Sequence, residues 1–62
     1  MITNIKVVFK DNRECLFGAN TFGFEKDGFC YLDFVNDEDV GKLIACVSIC
    51  EIKYLKFVEV EE

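Results

Sequence analysis

The stretch GFEKDGFCYLDF, from Gly23 to Phe34, decides the fold class. Asp27-Gly28 at its centre is the strongest turn signal in the chain, because Asp-Gly suits a tight hairpin whose central residues take positive φ. Before the turn, Phe22 and Phe24 share a face. After it, Phe29, Tyr31, Asp33 and Val35 alternate with Cys30, Leu32 and Phe34, and the second set is the more apolar and the more buried. Two alternating segments joined by a short turn predict an antiparallel hairpin, with Gly23 allowing a bend or a close backbone approach.

The same alternation extends to both ends of the chain. From Ile5 to Lys10, Ile5, Val7 and Phe9 lie on one side and Lys6, Val8 and Lys10 on the other, as in a half-buried strand. Asp11-Asn12-Arg13 supplies turn chemistry, and Glu14 to Phe17 returns as a second strand, making another hairpin. Ile52 to Val60 forms a long last strand, with Tyr54, Lys56, Val58 and Val60 facing one way and Leu55, Phe57 and Glu59 the other.

Residues 36–47 admit two readings. Asn36 suits the cap of a helix whose first turn holds Asp37, Glu38 and Asp39, and Val40, Leu43, Ile44 and Val47 fit helical spacing. Gly41 and the β-branched run from Ile44 to Ile49 favour instead a loop followed by a strand from Leu43 to Val47. Ser48-Ile49-Cys50-Glu51 matches the spacing of a capping box, which predicts a single helical turn ahead of the last strand.

A chain of 62 residues supports one core, so residues 1–62 form a single β-rich domain. Apolar residues make up 52%, including seven Phe and two Tyr, too many large side chains for so small a sphere to bury. Exposed aromatics are therefore expected, and contiguous apolar patches mark association with a partner or with further copies of the chain. The net charge is −5, and the residues after Tyr31 carry all of the excess. No stripe of Lys and Arg suited to a phosphate backbone is present, which disfavours direct nucleic-acid binding. The first nine residues lack a secretory pattern, and no run approaches the roughly 20 apolar residues of a membrane span. The expectation is a cytoplasmic protein with no membrane contact, whose cysteines are thiols.

IKVVFKD, GFEKDGFCYLDF and KLIACVSICEIKYLKFVEV together resemble small SH3-like or Sm-like β-proteins of bacteria and their phages. Those proteins share a first strand ending in Phe-Lys-Asp, a central Asp-Gly hairpin and a short helical turn before the last strand. The resemblance implies a mostly β fold: a five- to six-stranded antiparallel SH3-like barrel or rolled sheet, with one helical turn near residues 48–53. It also implies a phage or other mobile-element setting. The peptide-binding SH3 signature is missing, since the chain has no Trp and no Ala-Leu-Tyr-Asp-Tyr segment.

Few residues suit chemistry. The chain has no His, the commonest general base, and a domain this small rarely builds a cleft, so no enzyme activity and no catalytic residue is expected. Cys46 and Cys50 on one continuous strand would lie roughly 13 Å apart, beyond disulfide or shared-metal reach. They are expected, with Cys15 and Cys30, to pack as small apolar groups, leaving no metal and no cofactor. The candidate contact residues are the acids Asp37, Glu38, Asp39, Glu59 and Glu61, with Glu62 beside them, and the aromatics Phe22, Phe29 and Tyr31, with Phe24. The acids would imitate a nucleic-acid backbone towards a basic nucleic-acid-binding complex, as an inhibitor of anti-CRISPR or anti-defence type does. The alternatives are a self-associating assembly protein and an oligomer that encloses a small ligand such as a nucleotide.

Overall fold

The computed structural model describes residues 2–60. Six strands are present: β1 (Ile2–Phe9), β2 (Glu14–Phe17), β3 (Thr21–Phe24), β4 (Phe29–Val35), β5 (Gly41–Ser48) and β6 (Ile52–Val60), with a 3-10 turn at Ile49–Glu51 before β6. They form two antiparallel three-stranded sheets, the first in the order β2-β1-β6 and the second in the order β3-β4-β5. Among the described residues the strands do not close into a barrel. Residues 18–20 separate β2 from β3: Ala19 is fully buried there, and Asn20 joins the second sheet through both its amide and its side chain.

Alternation places the core. Ile5 and Val7 of β1 and Cys30 and Leu32 of β4, the two central strands, are fully buried, as is Ala19. Phe9, Phe17, Ile52 and Leu55 from the first sheet, Phe22, Ala45 and Val47 from the second, and Ile49 of the 3-10 turn pack against them. Two residues depart from the expected burial. Val8, assigned to the polar side of β1, is only 5% exposed, and it pairs with Glu14 on one side and Tyr54 on the other. Phe34, assigned to the buried side of β4, keeps the face of Leu32 but lies near the end of the strand opposite Lys42 and is 42% exposed.

Three hairpins repeat one loop. Ahead of each loop the N–H of Phe9, Glu25 or Asn36 donates to the carbonyl of Arg13, Phe29 or Val40, at 2.8, 3.0 and 3.2 Å. The third loop residue in each case, Asn12, Gly28 or Asp39, donates back to the carbonyl of the residue that opened the loop, and φ at these three is 72°, 89° and 61°. This is a type I turn closed by a left-handed residue. Asn, Gly and Asp are the residue types that reach that region at least cost. The Asp27-Gly28 turn is thus a three-residue loop with one positive φ, and not a two-residue turn with two. Gly28→Ala meets no neighbouring atom within 4 Å, so its cost is backbone strain alone, about 1–2 kcal/mol, read as a lower urea midpoint at an unchanged slope.

Side chains fasten these loops. Asp11 Oδ1 accepts from the Arg13 amide and Asp27 Oδ1 from the Phe29 amide, each at 3.0 Å. Asn36 Oδ1 accepts from the amides of Glu38 and Val40 at 2.9 and 3.1 Å. Asn36 therefore caps a turn, and the helical reading of residues 37–47 is replaced by loop plus strand, since β-branched residues and Gly41 favour extension. The capping box does not form: Ser48 makes no side-chain cap bond, and its Oγ lies 3.1 Å from Cys50 Sγ. The Ser48 hydroxyl is engaged with the Cys50 thiol instead of the Glu51 amide.

Asn20 joins β3 to the far end of β4. Its Nδ2 donates to the Val35 carbonyl and its Oδ1 accepts from the Val35 amide, both at 2.8 Å, while its own amide donates to Asp33 O at 2.9 Å. The side-chain amide thus stands in for one more strand residue and satisfies backbone groups that the short β3 cannot reach. No described helix is long and apolar enough to cross a membrane.

Candidate protein-binding surface

The acid excess follows the sheets and not the halves of the sequence. The first sheet, with its turn and the 3-10 segment, carries Lys6, Lys10, Arg13, Lys53 and Lys56 against Asp11, Glu14, Glu51 and Glu59, five bases to four acids. The second sheet and its loops, residues 18–48, carry Lys26 and Lys42 against Glu25, Asp27, Asp33, Asp37, Glu38 and Asp39, two bases to six acids. Neutralisation is local to the first sheet. Lys6 pairs with Glu14 and Arg13 with Asp11, the two ion pairs among the described residues. The Lys6 hydrogen bond and charge hold the Glu14 carboxyl below its ordinary value, and the Arg13 amide and guanidinium do the same for Asp11.

Asp37, Glu38 and Asp39 form the loop between β4 and β5, all exposed and free of ion pairs among the described residues. The Asn36 bonds hold this triad in one shape. Glu59 is exposed near the end of β6 and opposite Thr3. Glu61 and Glu62 lie outside the described residues.

The four aromatics of the central hairpin do not make one patch. Phe22 pairs with Leu32 and Phe24 with Cys30, so both share the inner face, whereas Phe29 and Tyr31 alternate to the outer face of β4. On the inner side Phe22 is half-buried and its ring centroid lies 5.7 Å from those of Phe24 and Phe57. Phe24 and Phe57 are 55% and 53% exposed, so these three rings form an apolar patch between β3 and β6. Phe57 is the member that the sequence did not single out. Its signal was the shared face with Leu55, but its partner Phe22 lies on another sheet, and local alternation carries no trace of that contact.

On the outer face, Tyr31 donates its hydroxyl proton to Asp27 Oδ2. Glu25, Lys26, Asp27, Tyr31 and Asp33 line a shallow recess of about 600 Å³. The hydrogen bond to Asp27, followed by desolvation and the Asp27 charge, pushes the phenol up to about 12. A neutral-form group with a raised folded pKa stabilises in full below its unfolded value near 10, and that contribution is lost as pH rises through about 12. An ultraviolet titration should therefore show a phenol ionising near pH 12, and Asp27→Asn should return it towards 10, since the amide accepts the bond without the charge.

The cysteines separate. Cys30 is buried, and burial pushes its thiol up, but Cys15, Cys46 and Cys50 are exposed free thiols, contrary to the expectation that all four pack inside. Cys46 sits opposite Tyr31 on the outer face of an edge strand, and Cys50 lies in the 3-10 turn, so neither position looks into the core. Among the described residues no three His, Cys, Asp or Glu side chains gather closely enough to hold a metal ion. No protein-family model, curated protein or solved structure matches the chain.

Proposed function

We propose that this chain is a non-enzymatic protein-binding module whose acidic loop meets a basic, nucleic-acid-handling partner. Its setting is the cytoplasm of a bacterium carrying a phage or other mobile element, and its target is a host complex such as a CRISPR effector. The observation that carries the reading is the exposed, unpaired triad Asp37, Glu38 and Asp39, held in a fixed loop on the sheet that carries six acids against two bases. Fixed carboxylates with no internal counter-charge present a steady negative potential, and a basic nucleic-acid groove is complementary to it. The Phe22, Phe24 and Phe57 patch supplies apolar contact area of the kind that interfaces use at their centres.

The strand order, with a 3-10 turn ahead of the last strand, supports the kinship with small SH3-like or Sm-like proteins as part of the same proposal. A nucleotide is a poorer occupant, because three carboxylates, of Glu25, Asp27 and Asp33, line the recess beside Tyr31 against the one ammonium of Lys26 and repel phosphate. Charge reversal at residues 37 and 38 with neutralisation at residue 39 tests the proposal: binding should be lost while the fold is kept, and unchanged affinity would remove the acidic loop from the interface.

A further inference from the structure

Four strands end the two sheets, and three of them are protected along their whole length against pairing with another chain. β2 and β3 are four residues each, and β6 bears Lys53, Lys56 and Glu59 along its length. Short strands and charges are the usual devices that keep a sheet edge from adding a further strand. β5 has neither. It runs for eight residues, and from Leu43 to Cys50 the chain holds no charge and no Pro. Leu43 is 57% exposed and Ile44 38%, and β4 is the one neighbour of β5 in its sheet. The bulge near Ile44 twists its first half, and the uncharged run continues past it on both sides of Cys46 to Cys50.

We propose that a second copy of this chain occupies that edge, β5 pairing antiparallel with β5 about a two-fold axis at Cys46, so that the second sheets of two copies join into one of six strands. The charge pattern selects this occupant. A two-fold axis at Cys46 sets Ala45 against Val47 and Ile44 against Ser48, so no two like charges meet across the new ladder, although each copy carries −5. Pairing with β6 of another copy would instead bring Lys53, Lys56 and Glu59 to the seam. The inference is independent of the acidic-loop reading, since that loop ends before β5 begins.

The axis position makes the test specific. Cys46 would face its own copy at a Cα separation of about 4.5–5.5 Å, within disulfide reach. Sedimentation equilibrium at high micromolar concentration should give twice the 7.2 kDa chain mass. With Cys15 and Cys50 changed to Ser, added diamide, which takes up the two electrons and two protons of a thiol pair, should join two chains through Cys46. A chain keeping Cys15 in place of Cys46 should stay uncrosslinked. Cys46→Ser should leave the dimer intact, whereas Cys46→Lys, which sets two ammonium groups across the axis, should raise its dissociation constant about 100-fold. The cross-link result stands even if the lysine variant folds poorly. A 7.2 kDa monomer, a ring or fibre mass, a Cys46 thiol that does not cross-link, or equal dissociation constants for a folded Cys46→Lys chain and Cys46→Ser would each overturn the proposal.

Discussion

Changing Asp37 and Glu38 to Lys and Asp39 to Asn should abolish partner binding and leave the fold intact. The choice at residue 39 follows from its backbone: Asp39 has φ 61°, and Lys there would add roughly 1 kcal/mol of left-handed strain, while Asn tolerates the conformation. The Asn36 bonds that hold the loop go to the amides of residues 38 and 40 and do not depend on the side chains being replaced. The loop passes from three acids to two bases, so attraction to a basic groove becomes repulsion. Steering of this kind changes association rates by about 10–1000-fold at low salt, and the loss should shrink as salt screens both variants. Surface-immobilised partner and stopped-flow association, read with far-UV circular dichroism of each variant, check the result.

Leu32→Ala should give the largest loss of stability. Leu32 is fully buried at the centre of the second sheet, between Phe22 on β3 and Ala45 on β5, and it belongs to the cluster that joins the two sheets. Removing such a side chain costs about 2–5 kcal/mol, transfer and cavity together. A domain of 62 residues has roughly 3–9 kcal/mol in all, so the variant should be partly unfolded at 37 °C or close to it. Phe34→Ala, two residues on along the same strand but 42% exposed, should cost much less. Urea midpoints for the two variants measure the difference, and equal losses would contradict a core centred on Leu32.

Much of the fold was legible because strands write their faces into alternation. The bounds of β2, β4 and β6 follow from the runs Glu14 to Phe17, Phe29 to Val35 and Ile52 to Val60, and Ile5, Val7, Cys30 and Leu32 read as the buried set. The loops were legible in type, since Asn12, Gly28 and Asp39 occupy the three left-handed positions, but Asp39 sat within a segment that also suited a helix start. Asn20 was not legible. Its role depends on reaching the backbone of Val35, fifteen residues away, and nothing local marks it apart from any other polar loop residue. The candidate surface was half legible: the acids of residues 37–39 are local, but the aromatic patch needs Phe57 of β6 beside Phe22 of β3. Alternation likewise says which residues share a face of one strand, and it is silent on how two sheets lie against each other.

The central claim, that the acidic loop takes the place of a nucleic-acid backbone on a basic partner, is tested most directly by a competition titration. The partner, purified on the immobilised chain, is equilibrated with labelled chain and increasing duplex DNA at fixed low salt. The account predicts that DNA displaces the chain completely, with an inhibition constant that matches the partner's own affinity for DNA. A ternary complex in which the partner holds DNA and the chain together, with the chain's affinity unchanged, would contradict it.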